Sequence, residues 1–193
     1  VFSKDGELIQ KIERPDSYLF SERSVYQPKN VVVTSQGNIF VVGKGAYEGL
    51  MQFTPDGEFQ GYFATNKRAF SFSEWLEDLF YSDAQKEILA SRMPRAIENI
   101  DISDRDLIYT VTQSDDASYA WVSSTSSSEN ELKKFNYAGE NILSKDSAMD
   151  NEWNFVDVAA GKNGLSYALT YTGLIYEYDS TGKLVFSFGG RSS

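Results

Sequence analysis

Carboxylates are the groups in this chain most available for chemistry, because the two commonest catalytic side chains are missing. Its 193 residues contain no histidine and no cysteine. That removes the usual general base, the Ser-His-Asp and cysteine nucleophiles, thiolate zinc sites and disulfides together. What remains is Asp, Glu, Lys, Tyr, or an oxygen-bound ion such as calcium. Three acidic groups come into question: Asp115 with Asp116, the alternating Asp101, Asp104 and Asp106, and Asp150 with Glu152 and Asp157. A calcium site needs roughly six or more oxygens, and no D-x-D-x-D-G loop is present, so Asp115 and Asp116 read as an ordinary turn. Asp101, Asp104 and Asp106 fall where a tight turn is expected, and the third group reads as solvated surface. The composition therefore implies no cofactor, with calcium the one ion left open.

Aromatic side chains are the second chemical resource, at 15% of the chain. Tyr47, Tyr119, Trp121 and Tyr171 sit in polar, turn-rich surroundings and would suit stacking on a carbohydrate or a peptide. Most aromatics in so rich a chain serve the core instead. The stretch STSSSENE (124–131) is a polar loop without a glycosylation sequon. The net charge of −10 is spread along the chain, which argues against a phosphate-binding surface and so against nucleic acid. No window holds the roughly 18 apolar residues that insert into a membrane. The first residue is Val, within a strand-like run, so an upstream segment carrying a signal or an anchor is expected. A bacterial extracytoplasmic or membrane-tethered setting follows from that expectation.

The elements that must position these residues recur. FTPDGEFQGYF (53–63) has the outline of VFSKDGELIQKI (1–12), FNYAGENILSK (135–145) and YDSTGKLVFSFGG (178–190), with turn glycines Gly6, Gly57, Gly139 and Gly182. Two of the three spacings suit a unit of roughly 40 to 50 residues, and the interval from Gly57 to Gly139 must hold an insertion. Upstream of each later turn lie two short apolar strands joined by a polar turn: NVVV and IFVV, NIDI and LIYTV, FVDV and LSYALT. Short strands rich in Val, Ile, Tyr and Phe, punctuated by Gly, Asn and Asp, predict four-stranded antiparallel units. The first two strands of each unit are nearly continuous apolar runs, and the fourth is more polar. Coverage of the first two on both faces, with the fourth a solvated edge, is the expectation.

Pro28, Asn30, Gly37, Asn38, Phe53, Asp56, Gly57 and Phe63, and again Tyr178, Asp179, Gly182, Phe186, Phe188 and Gly189, give a pattern that resembles the NHL-repeat family of six-bladed β-propellers. The alternative is hairpins of another all-β fold such as a sandwich. The expected architecture is one partial β-propeller over residues 1–193, with about three and a half four-stranded blades and a helical insertion at 68–94. In that insertion Ser71 with Glu74 and Ser82 with Gln85 have capping-box spacing, and Trp75, Leu76, Leu79 and Phe80 share a helical face. The helices either pack on the rim or offer Trp75, Phe80 and Tyr81 to a ligand. Because so few blades cannot close a ring, the chain is expected either to be a piece of a longer propeller or to pair the apolar faces of its open ends with a second copy as a homodimer. The resemblance implies a non-catalytic module binding a protein, glycan or small ligand on the face that carries the long loops. Relatives of that fold that hydrolyse lactones at a divalent ion supply the alternative, a lactonase-like or lyase-like enzyme.

Overall fold

One hairpin device recurs through the computed structural model, which describes residues 1–20, 24, 26–44, 48–64, 96–112, 132–143 and 155–190. At each copy one residue closes the turn from both sides. The Thr54 N–H donates to the Glu58 carbonyl at 2.9 Å, and the Gly57 N–H donates to the Thr54 carbonyl at 2.9 Å. Ser3, Asn136 and Asp179 repeat this with Glu7 and Gly6, Glu140 and Gly139, and Lys183 and Gly182. Their side-chain oxygens also accept backbone N–H groups, as Asp179 does from Thr181 at 2.8 Å and from Lys183 at 3.0 Å. Gly57 sits at φ 83° and Gly182 at φ 89°, in the left-handed region that a type I turn followed by a bulge requires. The Asp-Gly pair of FTPDGEFQGYF is thus only half the signal: Asp56 is exposed, and the capping oxygen belongs to Thr54.

These turns link eleven strands among the described residues into three antiparallel sheets. Sheet A holds β1 (Pro28–Val33), β2 (Ile39–Gly43), β3 (Leu50–Phe53) and β4 (Phe59–Phe63), in that order. Sheet B holds β5 (Ile97–Ile102), β6 (Ile108–Thr112) and β7 (Leu132–Phe135). Sheet C holds β8 (Phe155–Ala160), β9 (Ser166–Thr170), β10 (Leu174–Tyr178) and β11 (Leu184–Gly189). The all-β class is as expected, but the middle unit lacks a full fourth strand. There the ladder shrinks to a single bridge between Phe135 and Asn141. The cause is local: the Asn141 side chain itself accepts the Lys134 N–H at 3.1 Å and the Leu143 N–H at 3.2 Å, in place of strand carbonyls. The expected helices at 68–94 lie outside the described residues.

Burial also departs from the expected gradient. The second strands β2 and β6 are buried along their whole length, whereas β1, β5 and β8 are only partly buried. A first strand is a sheet edge, so one flank and part of one face stay open. The fourth strand β11 is exposed throughout.

The sheets stack in chain order. Phe40, Val42 and Leu50 of sheet A meet Ile97, Ile100 and Ile108 of sheet B in one apolar cluster. Tyr109, Val111 and Leu132, on the opposite face of sheet B, meet Phe155, Val158, Ala168 and Tyr176 of sheet C in a second. Over β2 and β3, the outer face of sheet A is covered by the N-terminal segment, through Ile12 and Phe20 against Ile39, Val41, Met51 and Phe53, while β1 stays open. Each fully buried Leu or Phe in these layers contributes about 1.5–3 kcal/mol over its exposed state.

Candidate functional site

The first strands carry a relay that fixes the sheets to one another. Asn30, Asn99 and Asp157 occupy the same register position, each just after a bulge in β1, β5 and β8. Asn30 Nδ2 donates to Asn99 Oδ1 at 2.6 Å, and Asn99 Nδ2 donates to Asp157 Oδ1 at 2.7 Å. Each side chain also accepts the following backbone N–H, from Val31, Ile100 and Val158 at 2.8, 2.9 and 2.8 Å. Bulges make this geometry by turning one side chain out of the ladder. Asp101 adds a clasp by accepting the Ala160 N–H at 2.7 Å. Asp106, at φ 57°, accepts both the N–H and the hydroxyl of Ser35. The hydrogen bond from the Ser35 hydroxyl, then that from its N–H, hold the Asp106 carboxyl below the usual carboxylate range. Lys29 and Glu98 form an ion pair across the same junction.

Asp101, Asp106 and Asp157 therefore do different work from that expected of turn and surface carboxylates. The signal was present in the repeat, since Asn30, Asn99 and Asp157 align when the units are superposed. Among the described residues no group of three or more Asp or Glu is arranged to hold a metal ion.

The junction of sheets B and C holds a buried lysine. Lys134 is 5% exposed, its Nζ donates to the Ser180 carbonyl at 3.3 Å and lies 5.4 Å from the centre of the Tyr109 ring. Burial first, and the Arg105 charge second, lower its pKa, while Asp179 opposes them. Burial raises the pKa of Tyr109. On the far side of sheet A a cleft of about 400 Å³ runs between residues 13–17 and the β3–β4 hairpin, lined by Glu13, Arg14, Asp16, Glu58 and Phe59. Arg14 stacks over Phe20 at 5.2 Å, and the half-buried Tyr62 hydroxyl is pushed well above its ordinary pKa, first by desolvation and then by Glu48.

Antiparallel order sends the connections to two different ends. The turns β1–β2, β3–β4, β5–β6, β8–β9 and β10–β11 share one end. The β2–β3, β6–β7 and β9–β10 connections, and the crossovers into sheets B and C, leave from the other. Tyr171 stands on that elaborated end, between β9 and β10, and is 70% exposed. Tyr47, Trp75, Phe80, Tyr81, Tyr119 and Trp121 lie outside the described residues, although the strands that flank them open toward the same end.

Two faces are left uncovered. Tyr167, Leu169, Ile175 and Glu177 alternate with the residues that sheet C turns toward sheet B, and so face away from it. Phe188 and Phe186 are the cross-strand partners of Ile175 and Glu177, share that face, and are 41% and 60% exposed. At the other extreme Val31 and Val33 of β1 are 54% and 51% exposed.

No family model matches the chain, and no curated protein sequence matches it. Among solved structures, the computationally designed Ika8 protein is similar at 10% identity and a TM-score of 0.49, over 84% of this chain and 36% of that one. A protein of unknown function from Bacteroides caccae is similar at 11% identity and a TM-score of 0.48, over 84% of this chain and 49% of that one. PorZ, a surface component of the type-IX secretion system of Porphyromonas gingivalis, has 10% identity and a TM-score of 0.35, over 96% of this chain and 30% of that one. The chain thus spans half or less of the length of these structures, and likenesses this low carry no argument about its function.

Proposed function

We propose that the three sheets are successive blades of a β-propeller, of the kind the repeat resembles, and that the chain is a non-catalytic binding module. Its ligand, a protein, glycan or small molecule, is held at the elaborated end. The observation that supports this most is the placement of connections: one end carries only tight turns, and the other carries every long connection together with the short β9–β10 turn that bears Tyr171. A rigid stack that confines its sequence-variable segments to one end is the arrangement by which scaffolds present binding loops. Tyr171, mostly exposed on that end, offers an aromatic face with a hydrogen-bonding tip.

Arrays of glycans and of peptides, probed with the labelled chain and with Tyr171→Ala and Tyr47→Ala variants, test this reading. Signal lost in the variants at an unchanged melting temperature supports it. Signal that survives both variants, and is lost instead when Lys162 and Lys183 of the turn end are changed to Glu, overturns it.

A further inference from the structure

The two uncovered faces are the two halves of a contact that the chain already makes twice. At the A–B junction, Ile100 and Ile102 of β5 lie against sheet A. At the B–C junction, Val158 and Ala160 of β8 lie against sheet B. The strand register makes Val31 the counterpart of Ile100 and Val158, which pair with Val41, Thr110 and Ala168 respectively. Val33 is by the same register the counterpart of Ile102 and Ala160. The receiving positions correspond as well. Phe40 and Tyr109, which take the docking strand in sheets A and B, match Tyr167 in sheet C, and Val42 and Val111 match Leu169.

Among the described residues, sheet C thus presents a receiving face without a docking strand, and β1 of sheet A is a docking strand without a receiving face. The N-terminal segment covers β2 and β3 of sheet A through Ile39, Val41, Met51 and Phe53, and leaves the valines of β1 open. We propose that a second copy of this chain fills both vacancies, with β1 of each copy seated on β8 and β9 of the other. This rests on the propeller reading above. Such a contact is heterologous, and a two-fold axis relating the copies makes both junctions identical and closes a ring of six sheets, within the roughly four to eight that close such rings. Self-association has a barrier in the charge of −10 carried by each copy.

The polar relay adds a sharper condition. Along the chain each relay residue donates to the next sheet, from Asn30 to Asn99 and from Asn99 to Asp157. At the intermolecular junction the donor position falls to Asp157, which as a carboxylate accepts only. It faces Asn30, whose Nδ2 is already committed to Asn99 and to the Ile100 carbonyl. The junction between copies is thus the apolar contact without its relay bond, and weaker than the two internal ones. An amide at position 157 restores the missing donor while its oxygen keeps the bonds from Asn99 and Val158.

Sedimentation velocity over micromolar concentrations tests this on the full chain. Wild type sediments as two copies. The head variant Val31→Asp/Val33→Asp and the tail variant Leu169→Asp each sediment as one, and an equimolar mixture of the two recovers dimer through its one intact junction. Asp157→Asn tightens the dimer roughly 25-fold, the worth of one net hydrogen bond at each of its two junctions. A wild type that stays monomeric overturns the ring, as does a dimer that survives the head variant, which would be a symmetric contact of two sheet C faces. A mass that climbs without limit overturns closure. A tail variant that fails to fold leaves the head variant and Asp157→Asn to decide. A monomer that still binds array ligands through Tyr171 removes the ring and leaves the binding-module reading standing.

Discussion

The A–B and B–C junctions share one register and one relay, yet they are built from different materials. The A–B contact is almost wholly aliphatic and phenyl, with its polar bonds, Lys29 with Glu98 and Ser35 with Asp106, kept at the exposed margin. The B–C contact takes Tyr109, Tyr176, Tyr178 and the Lys134 stem into its interior. It also buries the Tyr109 and Ser166 hydroxyls, neither of which has a hydrogen-bond partner among the described residues. The difference teaches that the repeat specifies where sheets meet, while each junction chooses its own balance of apolar burial against polar cost. An orphaned buried hydroxyl costs about 1–3 kcal/mol relative to a paired one.

Cavity formation should separate the two most strongly. Leu50 and Leu132 are register equivalents, both fully buried. Leu50→Ala should cost about 3 kcal/mol. Leu132→Ala should cost about 1 kcal/mol less, because its cavity opens beside the buried Lys134 and Tyr109 polar groups, where water has partners to bond. Equilibrium urea unfolding gives both values, and equal losses would mean that the junctions are equally dry.

Asn99 comes next, because its side chain bonds to both neighbouring sheets. Asn99→Ala removes the bonds to Asn30 and Asp157 and the cap on Ile100, and should cost about 2 kcal/mol. Asn30→Ala also removes three bonds, to Asn99, the Ile100 carbonyl and the Val31 N–H, but loosens only the A–B junction, and should cost about as much. A double-mutant cycle between positions 30 and 99 that shows no coupling would break the relay into unconnected caps.

Replacing Lys134 probes the B–C cost directly. Its pKa is lowered in the folded state, so folding is opposed while the ammonium is charged, and stability should rise as pH climbs from the lowered value toward the unfolded value of about 10.4. Lys134→Met should be neutral to about 1 kcal/mol more stable at neutral pH, with a flat alkaline profile. A loss of stability instead would show that the Tyr109 ring and the Ser180 carbonyl more than offset the burial.

Much of this was legible in the residues themselves. Strand pairs NVVV with IFVV and FVDV with LSYALT, the turn glycines and the crossover positions all follow from alternation and turn chemistry, because both act over a few residues. The fourth strand of the middle unit misled for an equally local reason: ENILSK has strand composition, but Asn141 turns its side chain onto the backbone of β7. The clasps at Asp101, Asp106 and Asp157 were not legible one by one, since a carboxylate in a turn looks the same whether or not a neighbouring sheet presents an N–H to it. Only the alignment of Asp157 with Asn30 and Asn99 could have revealed it. Of the aromatic residues expected to meet a ligand, Tyr171 alone lies among the described residues, where it is exposed.

The smallest effect distinguishes a clasp between sheets from a cap within one. Asp106 and Asp179 both have lowered pKa values and both are half-buried, but Asp106 takes its hydrogen bonds from Ser35 of another sheet, whereas Asp179 takes them first from the Thr181 hydroxyl in its own hairpin. A carboxylate whose pKa is lowered on folding stabilises the fold above its unfolded value of about 3.9, and that contribution disappears as pH falls through the lowered value. The gap between wild type and Asp106→Asn should therefore be open near neutrality and close in acid, and Asp179→Asn should behave alike. Hydrogen exchange separates them. Asp106→Asn should speed exchange at both Ser35 and the β5–β6 turn, which sit on two sheets, while Asp179→Asn should speed it only within the β10–β11 hairpin. If both variants act only locally, the acid sensitivity belongs to the turns, and the stacking of the sheets rests on the apolar faces and the relay.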